Sequence, residues 1–122
     1  MRLKKKAKLT PPIPIDVLIH DVYYEALKDE KDSWGNPEYA EKILISHVRV
    51  DLNTVFSRDS TQKQVVADGI IFIDSTNSEG APDKFVEESR ITFDGKKYTL
   101  KKVIPCYKVE SNEIRHWELE VI

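Results

Sequence analysis

Apolar and polar positions alternate with period two through most of this chain, most regularly on either side of Asp94-Gly95. An Asp-Gly pair between two alternating runs predicts a two-residue hairpin turn, because that turn needs positive φ and glycine adopts it without steric cost. Folding the chain there sets Phe93 opposite Lys96, Thr92 opposite Lys97, Ile91 opposite Tyr98 and Arg90 opposite Thr99. Ile91, Phe93, Tyr98 and Leu100 then share an apolar face, while Arg90, Thr92, Lys97, Thr99 and Lys101 share a polar one, the signature of a half-buried antiparallel pair.

The same reading places further strands along the chain. Residues 15–26 carry apolar groups on both parities. Residues 39–52 change phase: Ile43 and Ile45 share one parity, Val48, Val50 and Leu52 the other. A bulge near Ser46-His47, or a strand crossing between sheets, would keep one apolar face inward. Residues 65–74 (VVADGIIFID) form the most apolar strand, with Gly69 as a bulge or close approach. Residues 106–109 continue as strand after Pro105. In the final stretch, 114–122, Trp117, Leu119 and Val121 oppose His116, Glu118 and Glu120. The acidic face of this strand suits the basic face of the hairpin (Arg90, Lys97, Lys101), so the two are expected side by side.

Between these strands lie a charged loop, 27–37, a polar segment, 53–64, and a turn-rich segment, 75–83; residues 84–89 read as a short helical turn or strand lead-in. Trp34 in the first loop either folds back as a lid on its own core or anchors a partner. Ser57, Arg58, Asp59, Ser60, Thr61, Gln62, Lys63 and Gln64 form eight consecutive positions without a large apolar residue, the composition of a functional or unstructured loop. The expected fold is all-β: a small antiparallel barrel or sandwich of six or seven strands. One domain, 15–122, follows a flexible, proline-rich basic arm, 1–14.

At 122 residues the chain can bury one modest core. No apolar run approaches the roughly eighteen residues of a membrane helix, and no apolar stretch follows the basic start as a secretory signal would. Cys106 is the single cysteine, so no internal disulfide forms and a reducing compartment is expected. The net charge of −2 conceals an asymmetry. Arg2, Lys4, Lys5, Lys6 and Lys8 make the first ten residues purely basic, leaving 14 basic against 21 acidic residues in the rest. A basic arm on an acidic body suits nucleic acid, a membrane surface or an acidic protein, or else is a solubilising, frayed terminus.

Candidate chemistry is sparse. His20, His47 and His116 lie on expected strands, but none has a second His or Cys at ligand spacing. Cys106 has no His-plus-Asn pattern near it and reads as a small hydrophobe rather than a nucleophile. Phosphate loops, nucleophile elbows and zinc-protease motifs are missing, and Asp59 with Asp68, or Glu87 with Glu88, read as solvated carboxylates. No enzyme activity and no cofactor are expected. An alternative is a single-strand nucleic-acid module using the arm and Tyr23, Tyr24, Tyr39, Tyr98 and Tyr107, although the acidic body opposes it.

The segments 65–74 (VVADGIIFID), 91–100 (ITFDGKKYTL), 102–107 (KVIPCY) and 116–122 (HWELEVI) together resemble the small minor capsid proteins of tailed bacteriophages. That group is related to the head-completion proteins, and the resemblance spans roughly residues 38–122. It implies a β-barrel that assembles as a ring beneath the portal and adaptor at the head–tail joint, a monomer when free. Its implied partners are the portal, adaptor and tail-joining proteins, with the 57–64 loop lining the DNA channel. The resemblance carries no catalytic residue and leaves the role of the basic arm open.

Overall fold

A computed structural model of the chain describes residues 10–53, 55–56 and 65–122. Among them are ten strands: β1 (His20–Glu25), β2 (Leu27–Lys31), β3 (Pro37–Tyr39), β4 (Ile43–Asp51), β5 (Val55–Phe56), β6 (Val65–Ala67), β7 (Gly69–Asp74), β8 (Arg90–Phe93), β9 (Lys96–Tyr107) and β10 (Ile114–Val121). Six of them close an antiparallel barrel in the order β1-β4-β7-β10-β9-β8, with β8 returning to β1. Two ribbons, β2–β3 and β5–β6, extend from it. No helix of the described residues is long and apolar enough to cross a membrane.

The β8–β9 hairpin has the register its alternation dictates, from Phe93 against Lys96 to Arg90 against Thr99. Asp94 and Gly95 both take positive φ, 50° and 77°. Ile91, Tyr98 and Leu100 point into the core, and Phe93 packs against its margin. The expected neighbour is also present, since β10 lies beside β9 with Glu118 against Ile104 and Glu120 against Lys102. The charge matching differs from expectation. Arg90 pairs with Glu25 at 3.9 Å and covers the Tyr39 ring, and Lys101 pairs with Glu88 at 3.2 Å. Glu118 turns instead to His116. Arg90 lies on β8, on the far side of β9 from β10, and Lys97 precedes Leu100, where the β9–β10 pairing ends.

The phase change in β4 is a bulge. His20 pairs with Val48 and Val22 with Ile45, so three steps on β4 span two on β1. His47 takes up the extra residue at φ 58°, and Ile45 and Val48 both face inward. The bulged backbone is satisfied from outside the ladder: Ser46 exchanges two hydrogen bonds with Glu79, and the Ser78 hydroxyl donates to the His47 carbonyl. Gly69 is a close approach, since a Cβ there would lie 2.6 Å from the Asp51 carbonyl oxygen.

Two expectations are revised. The first strand begins at His20, because residues 15–17 form a single 3-10 turn. The loop 27–37 is largely the β2–β3 ribbon, paired Leu27 to Tyr39 and Lys31 to Pro37. Its charged sequence hid the strand because a two-stranded ribbon outside the barrel has little apolar face to bury.

The core is filled by Val22, Tyr24, Ile45, Val48, Val50, Ile71, Ile73, Ile91, Tyr98, Leu100, Leu119 and Val121. Phe85, from the 75–89 connection, caps one end and meets Tyr24 and Trp117 edge-on at 5.2 and 5.3 Å. The buried Tyr24 hydroxyl accepts from the Val86 amide at 2.9 Å and donates to Ser89 Oγ at 3.4 Å. Ser89 Oγ in turn accepts from the Leu27 amide at 2.8 Å. Buried polar groups at this end are therefore paired, as burial requires.

Candidate functional site

Antiparallel order sorts the connections between barrel strands into two ends. One end carries the β2–β3 ribbon, the 75–89 connection and the 108–113 turn. The other carries the β5–β6 ribbon and the Asp94-Gly95 turn.

Trp34 sits at the tip of the β2–β3 ribbon. Asp32 builds that tip: Oδ1 accepts from the amides of Trp34 and Asn36 at 2.9 and 2.8 Å, and Gly35 supplies φ 80°. Trp34 is 88% exposed, so it is not a lid on its own core. A tryptophan held by an ordered turn away from its own core offers a large apolar area at low entropic cost.

At the same end, residues 10–14 lie along the barrel as a strap. The Thr10 amide and hydroxyl both donate to the Glu110 carboxylate, at 2.9 and 2.6 Å, and Thr10 Oγ1 accepts from the Val109 amide at 2.9 Å. These bonds hold the Glu110 carboxyl below its ordinary range. Arg115 Nε donates to the Pro11 carbonyl at 2.8 Å. The Ile13 amide donates to Asp74 Oδ1 at 2.9 Å, and Asn77 Nδ2 donates to the Ile13 carbonyl at 2.7 Å. Asp74 is fully buried, and its Oδ2 accepts from the Thr76 and Asn77 amides. A cleft of about 230 Å³ between strap and barrel is lined by Thr10, Pro11, Pro12, Ser75, Lys108 and Arg115, among others. The candidate cations Arg2, Lys4, Lys5, Lys6 and Lys8 lie outside the described residues, but Thr10 marks the point from which they depart.

The candidate loop Ser57–Gln64 also lies outside the described residues. Its flanks are β5 and β6, which pair Val55 to Ala67 and Phe56 to Val65, so its attachment is at the end of the barrel opposite to Thr10 and Trp34. The tyrosines do not form one stacking face: Tyr24 and Tyr98 belong to the core, and Tyr39 lies against Arg90.

Among the described residues the three histidines do not gather into one cluster of metal-ligating groups. His20 accepts from the Val50 amide at 3.0 Å and meets Phe93 edge-on. His116 instead joins Cys106 and Glu118 on the outside of β9 and β10: the thiol lies 3.2 Å, and His116 Nε2 3.1 Å, from Glu118 Oε2. Burial, then the hydrogen bond to Glu118, push the thiol up to about 11, consistent with a cysteine that is no nucleophile. Sequence reasoning missed this trio and Asp74 because cross-strand register, not linear spacing, assembles them.

The chain matches the family model for minor capsid proteins over residues 14–121. It is also 28% identical over 97 residues to an uncharacterized protein, ORF5, of Lactococcus phage mv4; the match covers 75% of this chain and 85% of the phage protein. No solved structure matches it. Matched to that model along almost its whole length, this closed barrel belongs to the phage minor capsid protein family, structural proteins of the virion.

Proposed function

We propose that this protein is a head–tail connector of the head-completion, or stopper, type, assembling as a ring at the portal vertex. One observation carries the reading: its unspent binding elements attach at opposite ends of a closed barrel. Trp34 and the departure point of the basic arm lie at one end, and the flanks of the polar 57–64 segment at the other. A subunit between a portal or adaptor ring and tail-joining proteins needs two such ends, with the rigid barrel setting the distance between them. Closure also leaves the barrel strands paired, so docking falls to the ribbons and loops rather than to an open sheet edge. In this arrangement the free protein is a monomer, the ring forms on docking, and the 57–64 segment faces the DNA channel.

The test uses the purified full chain and DNA-filled heads that carry a portal but lack this protein. Electron microscopy is expected to show a ring of added density at the portal vertex alone. Density spread over the shell, or no binding by sedimentation, refutes the assignment.

A further inference from the structure

We propose that Cys106, His116 and Glu118 form a metal site of the zinc class on the outer face of the barrel. Cys106 and His116 are direct cross-strand partners, and Glu118 follows two residues later on the same strand face. All three ligand atoms lie within 4.8 Å of one another, with Sγ and Nε2 at 3.2 and 3.1 Å from Glu118 Oε2. Tetrahedral zinc, with bonds of about 2.0–2.3 Å, separates its ligand atoms by roughly 3.3–3.8 Å. Two of the three separations are thus already close to the required value, and side-chain rotation can adjust the third. The backbone beneath is paired barrel ladder, which holds ligands better than a loop does. His116 is nearly buried, with a side-chain exposure of 11% against 29% for Glu118, and the Phe72 ring lies 6.5 Å from its ring.

The donor set selects the ion. One thiolate, one imidazole and one carboxylate suit zinc, whereas magnesium and calcium take oxygen ligands alone. Three protein ligands leave a fourth position for water. Binding releases the thiol proton to solvent. His116 binds through the Nε2 lone pair, so in the complex its ring proton sits on Nδ1. In the metal-free protein Arg115 Nη1 lies 3.0 Å from Nδ1; once Nδ1 carries the proton, that contact joins two donors and Arg115 Nη1 must turn away. Its Nε bond to Pro11 is separate from this change, so the strap can stay in place.

The experiment titrates the untagged full chain, under reducing conditions, with cobalt(II) and then displaces the cobalt with zinc. One equivalent is expected to give a thiolate-to-cobalt charge-transfer band that is lost in Cys106→Ser. His116→Gln and Glu118→Gln are expected to weaken zinc binding by at least about tenfold. Absence of the band in the wild-type chain, or a zinc affinity unchanged in His116→Gln, overturns the site. A second measurement needs no variant: zinc should slow alkylation of Cys106 at least about tenfold, reversibly on adding chelator. An unchanged alkylation rate refutes the proposal even if the variants do not fold.

Discussion

His47 holds a left-handed backbone at φ 58° in the middle of a nine-residue strand. For a side chain with a Cβ that conformation costs about 1–2 kcal/mol, and what offsets it is that Ile45 and Val48 both enter the core. The cost rises with β-branching, so His47→Val should lose a further 1–2 kcal/mol or so in urea unfolding, whereas His47→Gly should stay within about 1 kcal/mol of the parent. Equal losses in both variants would show that the imidazole, not the backbone, matters. Glu110 bears on the strap. Its carboxyl is held low by the Thr10 hydroxyl, so the strap contact is fully formed above the ordinary carboxylate range and is lost as pH falls through the lowered pKa. Protection of the Val109 amide, which donates to Thr10 Oγ1, should therefore hold at neutral pH and fall as the solution is acidified through and below the ordinary carboxylate range. Protection that does not change across that range contradicts this account.

Connections differ in how much of their conformation is local. The Asp94-Gly95 turn is self-sufficient: a Cβ on Gly95 would meet nothing within 4 Å, so Gly95→Ala meets only the φ penalty. Gly80 has φ +87° and in addition lies against the Leu44 carbonyl oxygen. Gly80→Ala should therefore destabilise the fold by more than about 2 kcal/mol, and Gly95→Ala by about 1 kcal/mol. Thermal unfolding of the two variants compares them directly, and a reversed order would refute the close approach. The strap depends on distant groups. Asp74 accepts the Ile13, Thr76 and Asn77 amides while buried. Asp74→Ala should cost at least about 2 kcal/mol of unfolding free energy, because those donors are left without a partner; a loss of a few tenths would mean that water replaces the carboxylate.

For the whole barrel, closure separates what stabilises the protein from what remains free to bind. Trp34 contributes to no core contact, so Trp34→Ala should leave stability within about 0.5 kcal/mol. If the indole anchors docking onto heads, the same variant should lose at least about tenfold in affinity for portal-bearing heads, as expected of a central aromatic contact. Full retention of head binding removes Trp34 from the interface.

The hairpin at Asp94-Gly95, the bulge near Ser46-His47, the close approach at Gly69 and the all-β class were legible in the sequence. Each follows from a period of two, a change of parity or a glycine, and the physics behind those signals acts within a few residues. The strap on Asp74 and Glu110, the exposure of Trp34 and the meeting of Cys106 with His116 and Glu118 were not legible. Thr10 and Glu110 are 100 residues apart, and nothing in local propensity marks them as partners. They meet because the strands close into a barrel of one particular order, which is set by how all the apolar faces are buried together.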